Sequence, residues 1–260
     1  MSNLPTVDII FPSRNRAWIL PYFLECIYNL DYPKDKISII TCVNDSIDET
    51  LSILQEFKKN HKGEYKNIDI FIKNFNAVFD DNERYDSVRK QMYPTLAKVR
   101  NLLLKKVSSD YAFSIDTDIL CNPDCLYRLI MSGKDIISSI IYNGYVFDPK
   151  KPWRYTNICN YNNGQAIHFG YRYSNHIGNK NTIVEVGMTG AVYLISNIVC
   201  KKCEYGFHNR GEDFYFCDLA HKLGFKTYSD IGNYSQHIMS QEFFEQYLKG
   251  NMVNGEIKES

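Results

Sequence analysis

The stretch Tyr111-Ala112-Phe113-Ser114-Ile115-Asp116-Thr117-Asp118 is the part of the sequence from which the fold is best understood. It begins as an apolar run of strand length and ends in two carboxylates two residues apart. A carboxylate pair at a strand end suits a hard divalent cation, which prefers oxygen ligands and keeps coordination sites for substrate phosphates. Asp is also common in turns and helix caps, so the rest of the sequence must decide whether this pair is a cation site or a turn.

Composition indicates a globular protein with one elaborated domain. The chain has 260 residues, 44% hydrophobic and 23% charged, and its thirty basic and thirty acidic residues cancel. This balance gives no general electrostatic reason to expect nucleic-acid or anionic-membrane binding. No signal-like segment and no apolar run near the roughly 18 residues of a membrane helix is seen, which predicts a cytoplasmic protein. We expect one catalytic domain over 1–240, with halves 1–118 and 119–240, and a tail over 241–260.

Strand and helix patterns alternate along the first half of the chain, which predicts an α/β fold with an open parallel sheet. A capping box, Ser46 with Glu49, is predicted to open the second helix, and the third helix is predicted over Thr95 to Val107. The predicted strands are Val7 to Phe11, Lys36 to Asn44, Ile68 to Lys73 and the run that ends at Asp116.

Ligands of open parallel sheets bind at the carboxyl ends of the strands, where three segments are expected to converge. They are Pro12 to Arg16, Asn44 to Ser46, and Asp116 to Asp118. The first segment contains no glycine, which excludes a dinucleotide fingerprint and a P-loop and disfavours a nucleotidylyltransferase. Arg14 and Arg16 either bind a diphosphate or a base with their guanidinium groups or stay solvated.

Polar residues on the apolar sides of predicted helices are further candidates for the functional site. Arg100 shares the apolar side of its helix with Leu96 and Leu103, so we favour a role in the cleft over a structural salt bridge. Glu212 and Asp213 begin a helix and head its buried face, where they either complement the helix dipole or form a cleft wall that can take a proton.

His237 follows a last strand predicted over Lys226 to Ser229. A lone histidine is usually satisfied by local contacts, but an imidazole could complete a manganese site begun by Asp118.

Two close cysteine pairs, Cys121 with Cys125 and Cys200 with Cys203, are compatible with zinc or with free thiols. Neither spacing is typical of zinc sites, so buried free thiols are the favoured interpretation. An aromatic stretch from Tyr142 to Tyr173 includes Trp153, which either stacks on a sugar ring or packs internally.

The tail has an amphipathic stretch that is compatible with docking on the body, on a membrane surface or on a partner subunit. Its apolar residues are Phe243, Phe244, Tyr247 and Leu248.

From Val7 to His237 the chain resembles the GT-A glycosyltransferases, particularly the family 2 type. Each motif is weak alone, and their order makes the resemblance specific. The matching motifs are Phe11-Pro12-Ser13-Arg14, Val43-Asn44-Asp45-Ser46-Ile47-Asp48-Glu49-Thr50, Arg100-Asn101, Asp116-Thr117-Asp118, Gly211-Glu212-Asp213 and His237.

The resemblance implies a GT-A fold, Rossmann-like, with a mostly parallel sheet flanked by helices and a small second sheet near the acceptor site. It further implies transfer of one sugar from a nucleotide-diphosphate sugar, with UDP favoured, to an acceptor hydroxyl. Asp118 would bind Mn²⁺ or Mg²⁺ with His237, and Asp116 would face the ribose and metal-bound waters. Ile119 stands in the segment where many members carry a third acid. Candidate donor-binding residues are Pro12, Ser13, Arg14, Arg16, Asn44, Asp45, Arg100, Asp116 and Thr117.

For the acceptor side, the resemblance implies that Asp213 is the catalytic base of an inverting enzyme, with Glu212 beside it in acceptor binding. Gly190 matches a small-residue stretch that lets the acceptor approach the donor sugar. A retaining GT-A transferase, using GDP-mannose or a UDP-sugar, and a non-catalytic sugar-binding module remain as alternatives. The acceptor can be a carbohydrate, a lipid-linked molecule or a protein, and the oligomeric state is open.

Overall fold

A computed structural model describes residues 4–77, 86–145, 153–162, 165–168, 179, 181–250, 252–253 and 256–257. The helices are α1 (Leu20–Tyr28), α2 (Thr50–His61), α3 (Asp86–Leu104), α4 (Cys125–Met131), α5 (Asn197–Lys202), α6 (Glu212–Lys222) and α7 (Gln241–Leu248), and a 3₁₀ turn spans Lys34–Lys36. The first strands are β1 (Val7–Ser13), β2 (Ile37–Val43), β3 (Asn67–Ile72), β4 (Tyr111–Ile115), β5 (Ile119–Cys121), β6 (Ile136–Ile140), β7 (Tyr142–Tyr145) and β8 (Trp153–Thr156). The later strands are β9 (Cys159–Asn162), β10 (Gln165–His168), β11 (Ile183–Val186), β12 (Val192–Ser196), β13 (Thr227–His237), β14 (Met252–Val253) and β15 (Glu256–Ile257).

The first half forms the parallel sheet that the sequence predicts. Strand β1 pairs in parallel with β2 and β4, and β2 pairs in parallel with β3. All seven residues of β2 are buried, as expected for a parallel strand covered on both faces. The four predicted strands are therefore confirmed, and their carboxyl ends lie at one edge of the sheet.

The second half extends this sheet with antiparallel pairings. Strand β12 pairs antiparallel with both β4 and β6, while β13 pairs in parallel with β6 and antiparallel with β11 and β5. Two-stranded sheets form from β7 with β8 and from β9 with β10. The predicted α/β class with a small second sheet is confirmed.

Strand β13 is longer than the predicted Lys226 to Ser229, because it continues through an irregularity between Asp230 and Tyr234. His237 is its last residue rather than a residue beyond it, and it pairs with Ile119 of β5. This pairing brings the end of β13 beside the Asp116–Asp118 segment.

The predicted capping box is wrong. Helix α2 begins at Thr50 after Glu49, with no side-chain cap bond. The Ser46 hydroxyl instead contacts the β1 loop, where it accepts the Asn15 N–H at 3.1 Å. The Glu49 carboxylate accepts a bond from Ser52 at 2.7 Å. Both side chains therefore form other hydrogen bonds and do not cap α2.

Helix α3 also differs from the prediction of Thr95 to Val107, since it begins at Asp86 and ends at Leu104. Pro94 lies inside the helix, whereas proline usually marks a helix start.

Helix α7 docks part of its apolar face, Phe243 and Phe244, on the body of the protein, while Leu248 is exposed. Phe243 and Phe244 are buried with Ile19 and Ile238. The Phe244 ring also meets Tyr22 of α1 edge-on at 4.8 Å. Among the helices that the structure describes, none has the length and apolarity needed to cross a membrane.

Candidate active site

The loops that follow β1 and β2 are bonded to one another at the carboxyl edge of the sheet. Asn15 and Asp45 both adopt φ of 48°, a left-handed conformation that Asn and Asp tolerate better than most residues. The Asn15 side chain accepts the Ile47 N–H at 2.9 Å, and the Arg16 N–H donates to the Thr50 hydroxyl at 2.8 Å. These bonds fix the backbone from which Arg14 and Arg16 project.

Asp45 joins the same edge to the loop after β3. Its carboxylate accepts the N–H groups of Phe75 at 3.0 Å and Asn76 at 2.9 Å. Arg14 lies 4.0 Å from that carboxylate and donates to the Ala77 carbonyl at 3.2 Å. Asp45 therefore holds loop structure in this state, and its predicted contact with a base or ribose stays a prediction.

One cleft contains eight of the residues predicted for the donor and metal sites. Helix α3 supplies the other four lining residues of the cleft. Among these four, the sequence pattern marked Leu96, and only as an apolar position on the buried side of the helix. Ser13 is buried outside the lining, with its hydroxyl bonded to Thr41 at 3.1 Å. The lining residues are Pro12, Arg14, Arg16, Asn44, Met92, Thr95, Leu96, Val99, Asp116, Thr117, Asp118 and His237.

Asp118 and His237 face each other within this cleft. The Nε2 atom of His237 lies 3.6 Å from Asp118 Oδ1, and Arg16 lies 3.6 Å from Asp118 Oδ2. Burial would raise the pKa of Asp118, but His237 and then Arg16 outweigh it and lower that pKa to about 2. The carboxylate is therefore ionised over the whole physiological range.

The side chains of Asp118 and His237 fit a divalent cation. Carboxylate and imidazole are suitable ligands for Mn²⁺, and such ions often take one or two protein ligands plus substrate phosphates. The Nδ1 atom of His237 lies 2.7 Å from Asn143 Oδ1, which as an acceptor fixes the proton on Nδ1 and directs Nε2 towards Asp118. In the described part of the chain, no group of three or more His, Cys, Asp or Glu side chains is arranged around a cation.

Arg100 forms a buried cluster behind the cleft. Its Nη2 donates to Asp116 at 2.6 Å, its Nε to Glu212 at 2.9 Å, and its Nη1 to the Ser114 hydroxyl at 3.3 Å. Burial opposes its charge, but the carboxylates of Asp116, Asp213 and Glu212 together raise the pKa of Arg100 well above its ordinary value. The sequence favoured a role for Arg100 in the cleft, but in this structure Arg100 is buried outside the cleft lining and forms the ion pairs of the alternative interpretation. Its predicted contact with the donor stays a prediction.

Glu212 is enclosed in this cluster, with its side chain 5% exposed. Burial and the neighbouring charge of Asp213 raise its pKa, while Arg100 acts in the opposite direction. Because Arg100 occupies its carboxylate, Glu212 serves in this structure to hold the arginine. Its predicted part in acceptor binding stays a prediction.

Asp213 lies against Gly190. A Cβ atom added at Gly190 would lie 2.9 Å from Asp213 Cβ and closer still to the carboxylate, so this glycine leaves room for the acid itself. The Tyr193 hydroxyl donates to Asp213 Oδ1 at 3.2 Å. Burial is the main cause that raises the pKa of Asp213, while Arg100 and Tyr193 lower it. Asp213 is thus a positioned carboxylate with an elevated proton affinity.

Two features of the site lie beyond the reach of the sequence patterns. Tyr193 and Tyr205 share a short hydroxyl–hydroxyl hydrogen bond behind Asp213, and Arg100 lies 5.5 Å above the Tyr205 ring. No sequence pattern singles out either tyrosine. Trp153 begins strand β8, but its side chain falls outside the described residues, as does most of the aromatic stretch.

All eight cysteines are free thiols, as favoured over zinc ligands. Six are buried, and Cys26 and Cys121 are only partly buried.

Parallel strands, a cleft at their carboxyl ends and a D-x-D pair beside a late histidine together define a GT-A glycosyltransferase. The model of glycosyltransferase family 25, N-terminal domain, matches residues 4–148, which is more than half of the chain. The protein therefore belongs to glycosyltransferase family 25. The GT-A prediction is confirmed, and the matching family is family 25 where the motifs had suggested the family 2 type.

Curated relatives include procollagen galactosyltransferase 2 from mouse, which is 32% identical over 146 residues. The human protein of that name is 32% identical over 147 residues. Each alignment covers 53% of this chain but only 23% of the mouse protein and 22% of the human one. The similarity thus concerns a minor part of each relative.

Solved structures share the fold at low sequence identity. A mannosyltransferase from Pyrobaculum calidifontis, solved with GDP-Man and Mn²⁺, has a TM-score of 0.57 at 15% identity, covering 91% of this chain and 57% of its own. GalNAc-T7, solved with UDP, GalNAc and Mn²⁺, has a TM-score of 0.57 at 12% identity, covering 91% and 44%. At these identities the likeness establishes the fold.

Proposed function

We propose that the protein is a divalent-metal-dependent glycosyltransferase that moves one sugar from a UDP-sugar to an acceptor hydroxyl with inversion at the anomeric carbon. The observation that carries the proposal is the placement of Asp118 and His237, 3.6 Å apart, in one cleft with Arg14 and Arg16. Anionic and cationic groups at one strand edge suit a nucleotide diphosphate bound together with a cation.

On the donor side, the chain's own residues bind and orient the nucleotide. Arg14 and Arg16 present guanidinium groups to the diphosphate, and the leaving group's developing negative charge is neutralised there. Asp118 and His237 would hold Mn²⁺ or Mg²⁺, which as a Lewis acid further stabilises that charge. Asp116, fixed by Arg100, is directed to the ribose and to water.

On the acceptor side, Asp213 is the general base. It accepts the proton of the acceptor hydroxyl as that oxygen attacks the anomeric carbon and the bond from carbon to the diphosphate breaks. Burial raises its pKa, which increases its affinity for the proton. Gly190 and Tyr193 fix the carboxylate, so little reorganisation accompanies the reaction.

Galactose is the sugar to test first, since the named relatives are procollagen galactosyltransferases. GDP-mannose belongs in the same panel because the similar mannosyltransferase structure contains it. The acceptor class is not part of this proposal, and cytoplasmic localisation stays a prediction from the sequence.

Calorimetric titration tests the donor site. UDP, GDP and UTP would be titrated with and without Mn²⁺, and we expect UDP to bind more tightly when the metal is present. An absence of metal-dependent tightening with every nucleotide would contradict the whole site. Asp118→Asn should remove most of the metal dependence while metal-free binding persists.

The Asp213→Asn variant separates an enzyme from a binding module. We expect loss of sugar transfer, or of donor hydrolysis if no acceptor is known, with metal-dependent UDP binding retained. Turnover that survives in this variant would show that Asp213 is not the base. The anomeric configuration of the product, read by NMR, distinguishes inversion from retention.

A further inference from the structure

A pair of thiols lies outside the proposed catalytic site. Cys26 is on helix α1 and Cys121 is the last residue of β5, and their sulfur atoms are 3.5 Å apart. A disulfide has an S–S distance of about 2.05 Å, so the two atoms need to approach by only about 1.5 Å. The other six cysteines are buried, whereas these two are partly accessible.

The backbone of Cys121 holds the Cys26 sulfur in a polar setting. The Cys121 N–H donates to Cys26 Sγ at 3.1 Å, and the Cys26 thiol lies 3.1 Å from the Cys121 carbonyl oxygen. The hydrogen bond from the Cys121 thiol is the largest influence on Cys26 and lowers its pKa, against burial and Glu25. Burial instead raises the pKa of Cys42, Cys159 and Cys200.

We propose that Cys26 and Cys121 are an oxidation site that hydrogen peroxide converts to a reversible disulfide. The Cys26 thiolate attacks the peroxide, whose O–O bond breaks, and the products are a Cys26 sulfenic acid and water once a proton is taken up. Cys121 sulfur then attacks the sulfenic sulfur, the S–O bond breaks, and the second water leaves with the Cys121 proton. Two thiols are oxidised, one peroxide is reduced, and a dithiol reductant reverses the change.

The location gives the disulfide a structural consequence. Helix α1 follows the loop that carries Arg16, and β5 begins directly after Asp118. Arg16 and Asp118 are 3.6 Å apart across the cleft. A bond from Cys26 to Cys121 would tie helix α1, which follows Arg16, to strand β5, which follows Asp118.

The primary experiment uses the wild-type protein and needs no variant. Folded protein would be treated with hydrogen peroxide, remaining thiols would be blocked in denaturant, and the thiols would be counted by mass. We expect two of the eight thiols to be lost, and both to be recovered with dithiothreitol. Before blocking, the oxidised protein should be about 2 Da lighter than the reduced protein, because a disulfide lacks the two thiol hydrogens. Peptide mapping under non-reducing conditions should then identify a Cys26–Cys121 link.

Controls separate this pair from its neighbours. Cys26→Ser and Cys121→Ser should each abolish the two-thiol loss, while Cys203→Ser, at another close cysteine pair, should leave it intact. Retention of all eight thiols at peroxide doses that oxidise free glutathione would overturn the proposal. A link between Cys121 and the buried Cys125, or between Cys200 and Cys203, would overturn it as well.

Discussion

The Arg100 cluster and the cleft mouth contain the same kinds of charge but use them differently. Around Arg100, ion pairs are 2.6 and 2.9 Å long, and the side chains of Arg100 and Glu212 are at most 5% exposed. At the mouth, the Arg16–Asp118 and His237–Asp118 pairs are both 3.6 Å long. The buried charges neutralise one another in short ion pairs. The charges at the mouth form longer pairs, which leaves them able to contact a ligand.

This contrast indicates a division of labour within the site. A buried ion pair is costly to break because the remaining charge has no solvent around it, whereas a charge at the partly exposed cleft mouth stays in contact with solvent when its partner is lost. We therefore expect substitutions in the Arg100 cluster to act mainly on folding and substitutions at the mouth to act mainly on binding. The following predictions test that division, beginning with the largest effect.

Arg100→Met should destabilise the protein by about 3–5 kcal/mol, because Glu212 is left as a buried, unpaired acid. Urea denaturation measures the change. Lys98→Met is the matched control, since Lys98 is exposed on the same helix and should change stability by less than about 0.5 kcal/mol. Equal effects of the two substitutions would show that the ion pairs of Arg100 stabilise the fold no more than an exposed charge does.

Gly190→Ala should lower transfer by about 100-fold while UDP binding is nearly unchanged, since the new methyl group displaces the Asp213 carboxylate. Steady-state kinetics and calorimetry measure the two quantities. Gly63→Ala is the control, because no atom lies within 4 Å of its added Cβ. Full transfer by the Gly190 variant would show that Asp213 has no fixed position in the reaction.

Arg16→Gln should weaken UDP binding by about tenfold and leave the free energy of unfolding nearly unchanged, as expected for a loosely paired charge that meets the diphosphate. Titration calorimetry and urea denaturation would be compared on the same sample. Lys201→Gln, at the opposite end of β4, should alter neither quantity. A loss of stability without a loss of affinity would place Arg16 with the structural charges.

Tyr193→Phe should have the smallest effect, visible mainly as a pH dependence. A carboxylate base works when ionised, so kcat/KM falls as pH drops through the raised pKa of Asp213. Removing the Tyr193 donor should raise that pKa further and move the acid limb to higher pH. Tyr127→Phe, an exposed tyrosine, should leave the profile in place.

The first half of the fold was predictable because its signals are local. Four apolar runs became β1 to β4, and the apolar positions Leu20, Phe23, Leu24 and Ile27 became the buried face of α1. The loops after these strands converge for a topological reason that holds for any open parallel sheet. The placement of the D-x-D pair at the cleft therefore follows from sequence alone.

Other features depend on contacts between distant segments. Ser46 has the spacing of a helix cap, but the β1 loop uses its hydroxyl, and no local pattern reveals that competition. Strand β13 buries Ser229, Asn233 and Ser235, so it lacks the apolar alternation that would have marked its length. Tyr193 and Asn143 acquire their roles only when β12 and β7 are brought beside α6 and the end of β13.

The pairing of β5 with the end of β13 has a consequence for the order in which the protein folds. Asp118 and His237 become neighbours only when Ile119 joins the register of a strand that is far away in sequence. Contacts between residues so far apart in sequence form late and slow folding, because the entropy cost of closing the loop must be met before the contacts stabilise the chain. During synthesis, the cleft can therefore assemble in full only after His237 has left the ribosome.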